Sequence, residues 1–162
     1  FRSVFADAVR GFEMVQDLAR KYGVKADFEM HHGTITAAAS SARRLASYFD
    51  PKYIGVIYDT GNIIYEGFEE YQLALEVLGP YLDLVHIKNA KWIKKEVDGK
   101  ETWMADWAPF TDGHADFPRF FKALKKVGYD GYVTFEDFSS EETSEQKLKN
   151  NLTFIKGIVD SI

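Results

Sequence analysis

Apolar residues recur along this chain in two alternating rhythms, and the alternation predicts the architecture. Between residues 4 and 22, Phe5, Val9, Phe12, Met14, Val15 and Leu18 return at mixed three- and four-residue spacings, which predicts an amphipathic helix, and Gly23 marks its end. The next segment, Lys25-Ala-Asp-Phe-Glu-Met-His-His-Gly, is short, is bounded by Gly23 and Gly33 and finishes in polar residues, as a strand does where it meets a site. The alternation then repeats. Thr36 to Tyr48 reads as a helix, Tyr53 to Asp59 as a strand, Phe68 to Leu78 as a helix closed by Gly79-Pro80, and Leu82 to Ile87 as a strand. After an interruption, Phe117 to Val127 reads as a helix, Gly131 to Glu136 as a strand and Glu142 to Val159 as a final helix.

Strands alternating with helices imply parallel βα units, because two parallel strands need a crossover and the helix supplies it. The expected fold class is therefore α/β, with four parallel strands and flanking helices in a single domain over residues 1–162. The interruption, about 91–113, holds Asp98-Gly99 between two stretches able to pair, which predicts a hairpin inserted after the third strand. Its Trp92, Trp103 and Trp107 serve either to pack the hairpin on the rim or to form a lid over a substrate.

Composition narrows the function classes. The chain has 162 residues, 46% hydrophobic and 15% aromatic, enough to bury a core in one domain. No apolar run approaches the roughly 18 residues a membrane span needs, and the N-terminal stretch mixes charged with apolar residues, so a cytoplasmic protein with no membrane partner is expected. Without cysteine there is neither a disulfide framework nor a thiolate site, and any metal must be held by histidine and carboxylate. A net charge of −5 and a pI near 5.4 oppose a nucleic-acid backbone, so no nucleic-acid partner is expected.

Each expected strand ends in a residue that can ligate a divalent cation: Glu29, Asp59, His86 and Glu136. In a parallel barrel all strands point their C-terminal ends at one face, so these distant residues converge there. One imidazole and three carboxylates suit a single divalent ion, Mn²⁺, Mg²⁺, Co²⁺ or Zn²⁺, with positions left for substrate oxygens. Taken singly, Asp59 could be a turn former and Glu29 or Glu136 a solvated strand-end charge. His86, between Val85 and Ile87, is harder to dismiss, because a buried imidazole needs a partner and a metal would be one.

The succession Glu29-x-His31, Tyr58-Asp-Thr-Gly-Asn62 and Val85-His-Ile-Lys-Asn89, followed by DGHADFPRFFKALKKVGYDGYVTFE, resembles the sugar phosphate isomerase/epimerase family of xylose-isomerase-like TIM barrels. The resemblance implies the C-terminal half of a (β/α)8 barrel. It implies one divalent metal ion held by Glu29, Asp59, His86 and Glu136, with Glu29 and Glu136 moving the proton on a small-molecule carbohydrate substrate. The expected reaction is isomerisation or epimerisation of a sugar, sugar phosphate or similar polyol ketone by metal-assisted proton transfer beside a carbonyl. A dehydratase of the inosose or 3-dehydroshikimate type uses the same scaffold and is the alternative; an AP endonuclease and an inactive half-barrel binding module stand further off.

Further residues join as substrate-binding candidates. His31 would contact substrate or support the metal from behind, while His32 is expected to point away as a structural residue. Asn62 stands where several epimerases of this family place a histidine, which puts their proton relay in question here. Lys88 would bind a phosphate or carboxylate, or else be a solvated rim charge. His114 is either a substrate contact or a helix-entry loop residue, and Asp116 an N-cap. A complete barrel takes about 250 residues and eight strands, whereas this chain offers four and begins inside a helix. The expectation is thus a homo-oligomer or a missing N-terminal half-barrel, since a lone half would expose two strand edges.

Overall fold

In the computed structural model, which describes residues 2–162, the first helix, α1 (Arg2–Tyr22), ends at Gly23, whose φ of 66° is the left-handed conformation that suits glycine. Strand β1 (Ala26–Glu29) follows, then α2 (Ala39–Ala46) and β2 (Ile54–Asp59). Helix α2 starts three residues later than Thr36, because the chain between is anchored elsewhere: Ser41 Oγ caps Ala38, and the Ala39 N–H donates to Glu69 at 2.8 Å.

Between β2 and the expected helix at Phe68 lies an element the periodicity does not announce, α3 (Thr60–Glu66). Thr60, Gly61 and Asn62 are poor helix formers, yet Asp59 Oδ1 accepts the Asn62 N–H at 2.6 Å and caps the turn. The helix expected to start at Phe68 begins at Tyr71 as α4 (Tyr71–Leu78): Phe68 has a φ of 61°, outside helical space, and Glu70 caps the helix by accepting from Leu73 N at 2.8 Å. A single 3-10 turn, Gly79–Tyr81, leads into β3 (Leu82–Ile87).

The interruption is the expected hairpin, β4 (Ala90–Val97) paired antiparallel with β5 (Lys100–Trp107). Asp98 and Gly99 turn it with φ of 52° and 74°, the two positive values a tight two-residue hairpin turn requires. Asn89 organises its base: Oδ1 accepts from Ala90 N and Ala115 N, and Nδ2 donates to the Phe110 carbonyl. Helix α5 (Phe117–Lys126) starts from the Asp116 cap as expected, and β6 (Tyr132–Phe135) and α6 (Ser144–Val159) complete the chain.

The four strands of the main sheet run in the order β1-β2-β3-β6, every neighbouring pair parallel. Glu29 lies level with Ile57, and Asp59 level with His86 and Thr134. Successive side chains alternate between faces. One set, including Val56, Tyr58, Val85 and Ile87, is buried in the core, where Tyr58 stacks on Phe120 of α5 and Tyr71 of α4 meets Phe120 edge-on. The other set, Ile57, Asp59, Leu84 and His86, faces the opposite side. Strands β1 and β6 are the sheet edges among the described residues. Helices α1 and α6 also leave apolar side chains in solvent, Met14, Leu18 and Tyr22 on the first and Leu148, Leu152 and Val159 on the second.

Candidate metal centre

The parallel register brings Glu29, Asp59, His86 and Glu136 together: one donor atom from each lies within 4.8 Å of all the others. Glu29 and Asp59 end β1 and β2, and His86 is the penultimate residue of β3. Glu136 stands one residue past β6, where its N–H still donates to the Ile87 carbonyl at 2.9 Å and continues the ladder. The imidazole is at the centre, with Nδ1 at 3.0 Å from Glu29 Oε1, 3.4 Å from Glu136 Oε1 and 3.8 Å from Asp59 Oδ2.

The electrostatics ask for a cation. Two ionised carboxylates with oxygens no more than 4.8 Å apart repel by about 3 kcal/mol or more at an effective dielectric of about 20. Asp59 shows the strain most plainly. Its side chain is wholly buried, Oδ1 is committed to the cap of α3, and Oδ2 has no hydrogen-bond partner among the described residues. Burial pushes its carboxyl up to about 7, against the pull of Lys88. Glu29 is held below the ordinary carboxylate range by its hydrogen bond to His86, and the same bond raises the imidazole. An orphaned buried oxygen converging with an imidazole and two further carboxylates fits a divalent cation of the Mg²⁺, Mn²⁺ or Zn²⁺ type.

The remaining candidates distribute unevenly. Lys88 is not a rim charge. Its side chain is 2% exposed, with Nζ 3.0 Å from Glu136 Oε2 and 3.8 Å from Asp59 Oδ2. Asn62 belongs to the cluster: Nδ2 is 3.4 Å from Glu29 Oε1, and Oδ1 is 2.8 Å from His32 Nδ1. His32, set aside on strand alternation, is thereby linked to the site. The reason is that β1 stops at Glu29 and the chain turns through His31–Thr34, so the two-residue alternation does not carry that far. The His31 and His32 rings stack at 4.3 Å, with His31 Nδ1 2.9 Å from the His32 carbonyl. His114 accepts the Trp92 N–H on Nδ1 at 3.1 Å and donates its backbone N–H to the Ala90 carbonyl, which ties the helix-entry loop to the hairpin base.

The tryptophans divide. Trp92 donates Nε1–H to the Ile64 carbonyl at 3.0 Å and packs the hairpin on α3, while Trp103 is 61% exposed. Trp107 reaches the site, 4.3 Å from the Tyr65 ring and edge-to-face with Phe138 at 5.7 Å, and Tyr65 stacks on His32 at 4.5 Å. Tyr65 and Phe138 have no counterpart in the sequence reading, although Phe138 closely follows Glu136 in the chain. Thr60 and Gly61 were legible only as part of the Asp-Thr-Gly-Asn run.

Known proteins share this fold. The inosose dehydratase of Geobacillus kaustophilus is 27% identical over 141 residues, which is 83% of this chain and 46% of that protein. A xylose isomerase-like TIM barrel protein from Mycobacterium smegmatis, solved in complex with magnesium, superposes with a TM-score of 0.74 at 20% identity, over 96% of this chain and 51% of that one. D-psicose 3-epimerase from Clostridium cellulolyticum, solved with D-tagatose, gives 0.72 at 17% identity over 96% and 56%. The chain thus spans about half the length of the relatives it matches. The family described as xylose isomerase-like TIM barrel matches residues 3–158, nearly the whole chain. Four parallel strands, their register and this match agree: the chain belongs to the xylose isomerase-like TIM barrel family.

Proposed function

We propose that this chain carries the metal-binding and proton-transferring part of a divalent-metal-dependent sugar isomerase or epimerase. The observation that supports it most is the convergence of four donor side chains, one of them Asp59 with its unpartnered Oδ2. Glu29, Asp59, His86 and Glu136 would hold the ion, which when bound supplies Lewis-acid polarisation of a substrate carbonyl.

The residues then have distinct tasks. Glu29 and Glu136 stand on the outermost strands of the four, β1 and next to β6, so they flank whatever lies over Asp59 and His86. Each carboxylate is positioned to take or return a proton at a carbon beside the carbonyl, one from either side. His86 would hold the ion only as an unprotonated imidazole, so the Glu29 hydrogen bond that raises it would make proton release part of metal uptake. Asn62 orients Glu29 and in turn is held by His32. His31 lies beside that pair as a substrate contact. Tyr65, Trp107 and Phe138 form an aromatic wall beside Lys88 and His32.

Dehydration is the second reading, favoured by the inosose dehydratases among the relatives at 26–29% identity. It begins with the same proton abstraction but expels a β-hydroxyl and leaves a conjugated product. One experiment separates the two: Mn²⁺-loaded protein is incubated with a panel of ketoses and ketocyclitols in deuterated water. Solvent deuterium beside the carbonyl, without new ultraviolet absorbance and lost in both Glu29→Gln and Glu136→Gln, supports isomerase or epimerase chemistry. New absorbance supports dehydration. Neither exchange nor metal uptake would remove both readings.

A further inference from the structure

Lys88 is buried with an unusual amount of structure arranged around it. Thr60 clamps its backbone twice, Oγ1 donating to the Lys88 carbonyl at 2.7 Å and accepting the Lys88 N–H at 3.0 Å. Gly61 makes room for its stem: a Cβ there would stand 2.6 Å from Lys88 Cγ and 2.9 Å from Cβ. The ammonium then emerges between two aromatic faces, 4.4 Å from the Trp107 ring centre and 4.3 Å from that of Phe138. Two consecutive residues of the Asp-Thr-Gly-Asn run are therefore spent on a lysine from the neighbouring strand. Burying an ammonium is costly without a task or a partner, and its nearest partner is Glu136 Oε2 at 3.0 Å.

That contact divides the two oxygens of Glu136. Oε2 is held by Lys88, whereas Oε1 faces His86 Nδ1 at 3.4 Å and so points into the cluster. Glu136 lies beyond the end of β6 and is partly exposed, so the sheet alone does not fix its carboxylate. We propose that Lys88 is a positioning residue that orients Glu136, engaging Oε2 so that only Oε1 is presented to the metal. The consequence for metal binding rests on the reading given under Proposed function. The alternative role for such a cation is simple repulsion of the ion, and the two roles predict opposite signs.

The test is a double-mutant cycle on Mn²⁺ affinity, measured by titration calorimetry for wild type, Lys88→Met, Lys88→Arg, Glu136→Gln and Lys88→Met/Glu136→Gln. If Lys88 acts through Glu136, Lys88→Met weakens Mn²⁺ binding by about 10- to 100-fold, the range typical of groups that orient a ligand. Lys88→Arg restores most of it, and Lys88→Met in the Glu136→Gln background weakens it no further. Tighter binding to the same extent in both backgrounds, or no change in either, overturns the proposal. A second readout is independent of metal and of any variant at Lys88. The ¹⁵N signal of the Lys88 ammonium in metal-free protein should be protected from hydrogen exchange and shift in Glu136→Gln; an unmoved signal overturns the proposal as well. Wild-type protein without affinity for Mn²⁺ would remove the metal-centre reading, while the ammonium signal still decides whether Lys88 holds Glu136.

Discussion

The substitution Asp59→Asn should stabilise the metal-free protein, and the gain should grow with pH; on the proposed function it should also remove cation binding. The cause is a buried carboxyl raised from its ordinary 3.8 to about 7, chiefly by burial. A carboxyl so raised binds more protons in the folded than in the unfolded chain between those two values, so the folded state loses stability as pH rises through that window. Ionisation is complete above it. Each tenfold change in acidity is about 1.4 kcal/mol, so the ceiling on the penalty is about 2 kcal/mol at pH 5 and about 4 kcal/mol at pH 8. A neutral amide in its place would carry no such penalty and would keep the acceptor that caps α3. Its NH₂ group would point where Oδ2 now stands, within reach of carboxylates able to accept. Asp59 also acts on Glu29 and His86, whose titration shifts with it in the variant, so these figures bound the Asp59 contribution alone. The assay is urea unfolding in excess chelator at pH 5 and pH 8, followed by circular dichroism. A variant less stable than wild type at pH 8, or a difference that shrinks as pH rises, would refute the account of Asp59 as a strained buried carboxyl.

Two further outcomes follow from the packing. Gly61→Ala should destabilise the protein by about 1–3 kcal/mol, the usual cost of overpacking, although alanine is the better helix former, because the new methyl meets the Lys88 stem at 2.6 Å; a melting temperature at or above that of wild type would count against it. Asn89→Ala leaves the Ala90 and Ala115 N–H groups and the Phe110 carbonyl without their partner, at about 1–3 kcal/mol for each group left unsatisfied. Hydrogen exchange should then rise first at the base of the β4/β5 hairpin, and exchange confined to the main sheet would contradict this.

The parts of the fold legible from residue order were those set by local rules. Alternating strand and helix rhythms place all four parallel strands, and Asp98-Gly99 places the hairpin, because turn and period chemistry act over a few residues. Helix α3 was not legible: Thr60-Gly-Asn62 lacks helical propensity, and its stability comes from the Asp59 cap and from packing against neighbouring strands. The four donors were legible because strand ends converge in a parallel sheet. The burial of Lys88 was not, since it depends on a clamp from Thr60, space at Gly61 and rings from two distant segments. His32 was misjudged for a related reason: alternation is a property of strand, and the strand stops before reaching it.

Because Asp59, His86 and Thr134 share a rung of the parallel ladder and Glu29 lies close to that level, a slip of any single strand by one residue would swing its ligand to the helix-covered side. A mispaired chain would offer at most three of the four donors. Uptake of a divalent ion would therefore discriminate between correctly and incorrectly threaded molecules, favouring those whose strands had annealed in the proper alignment.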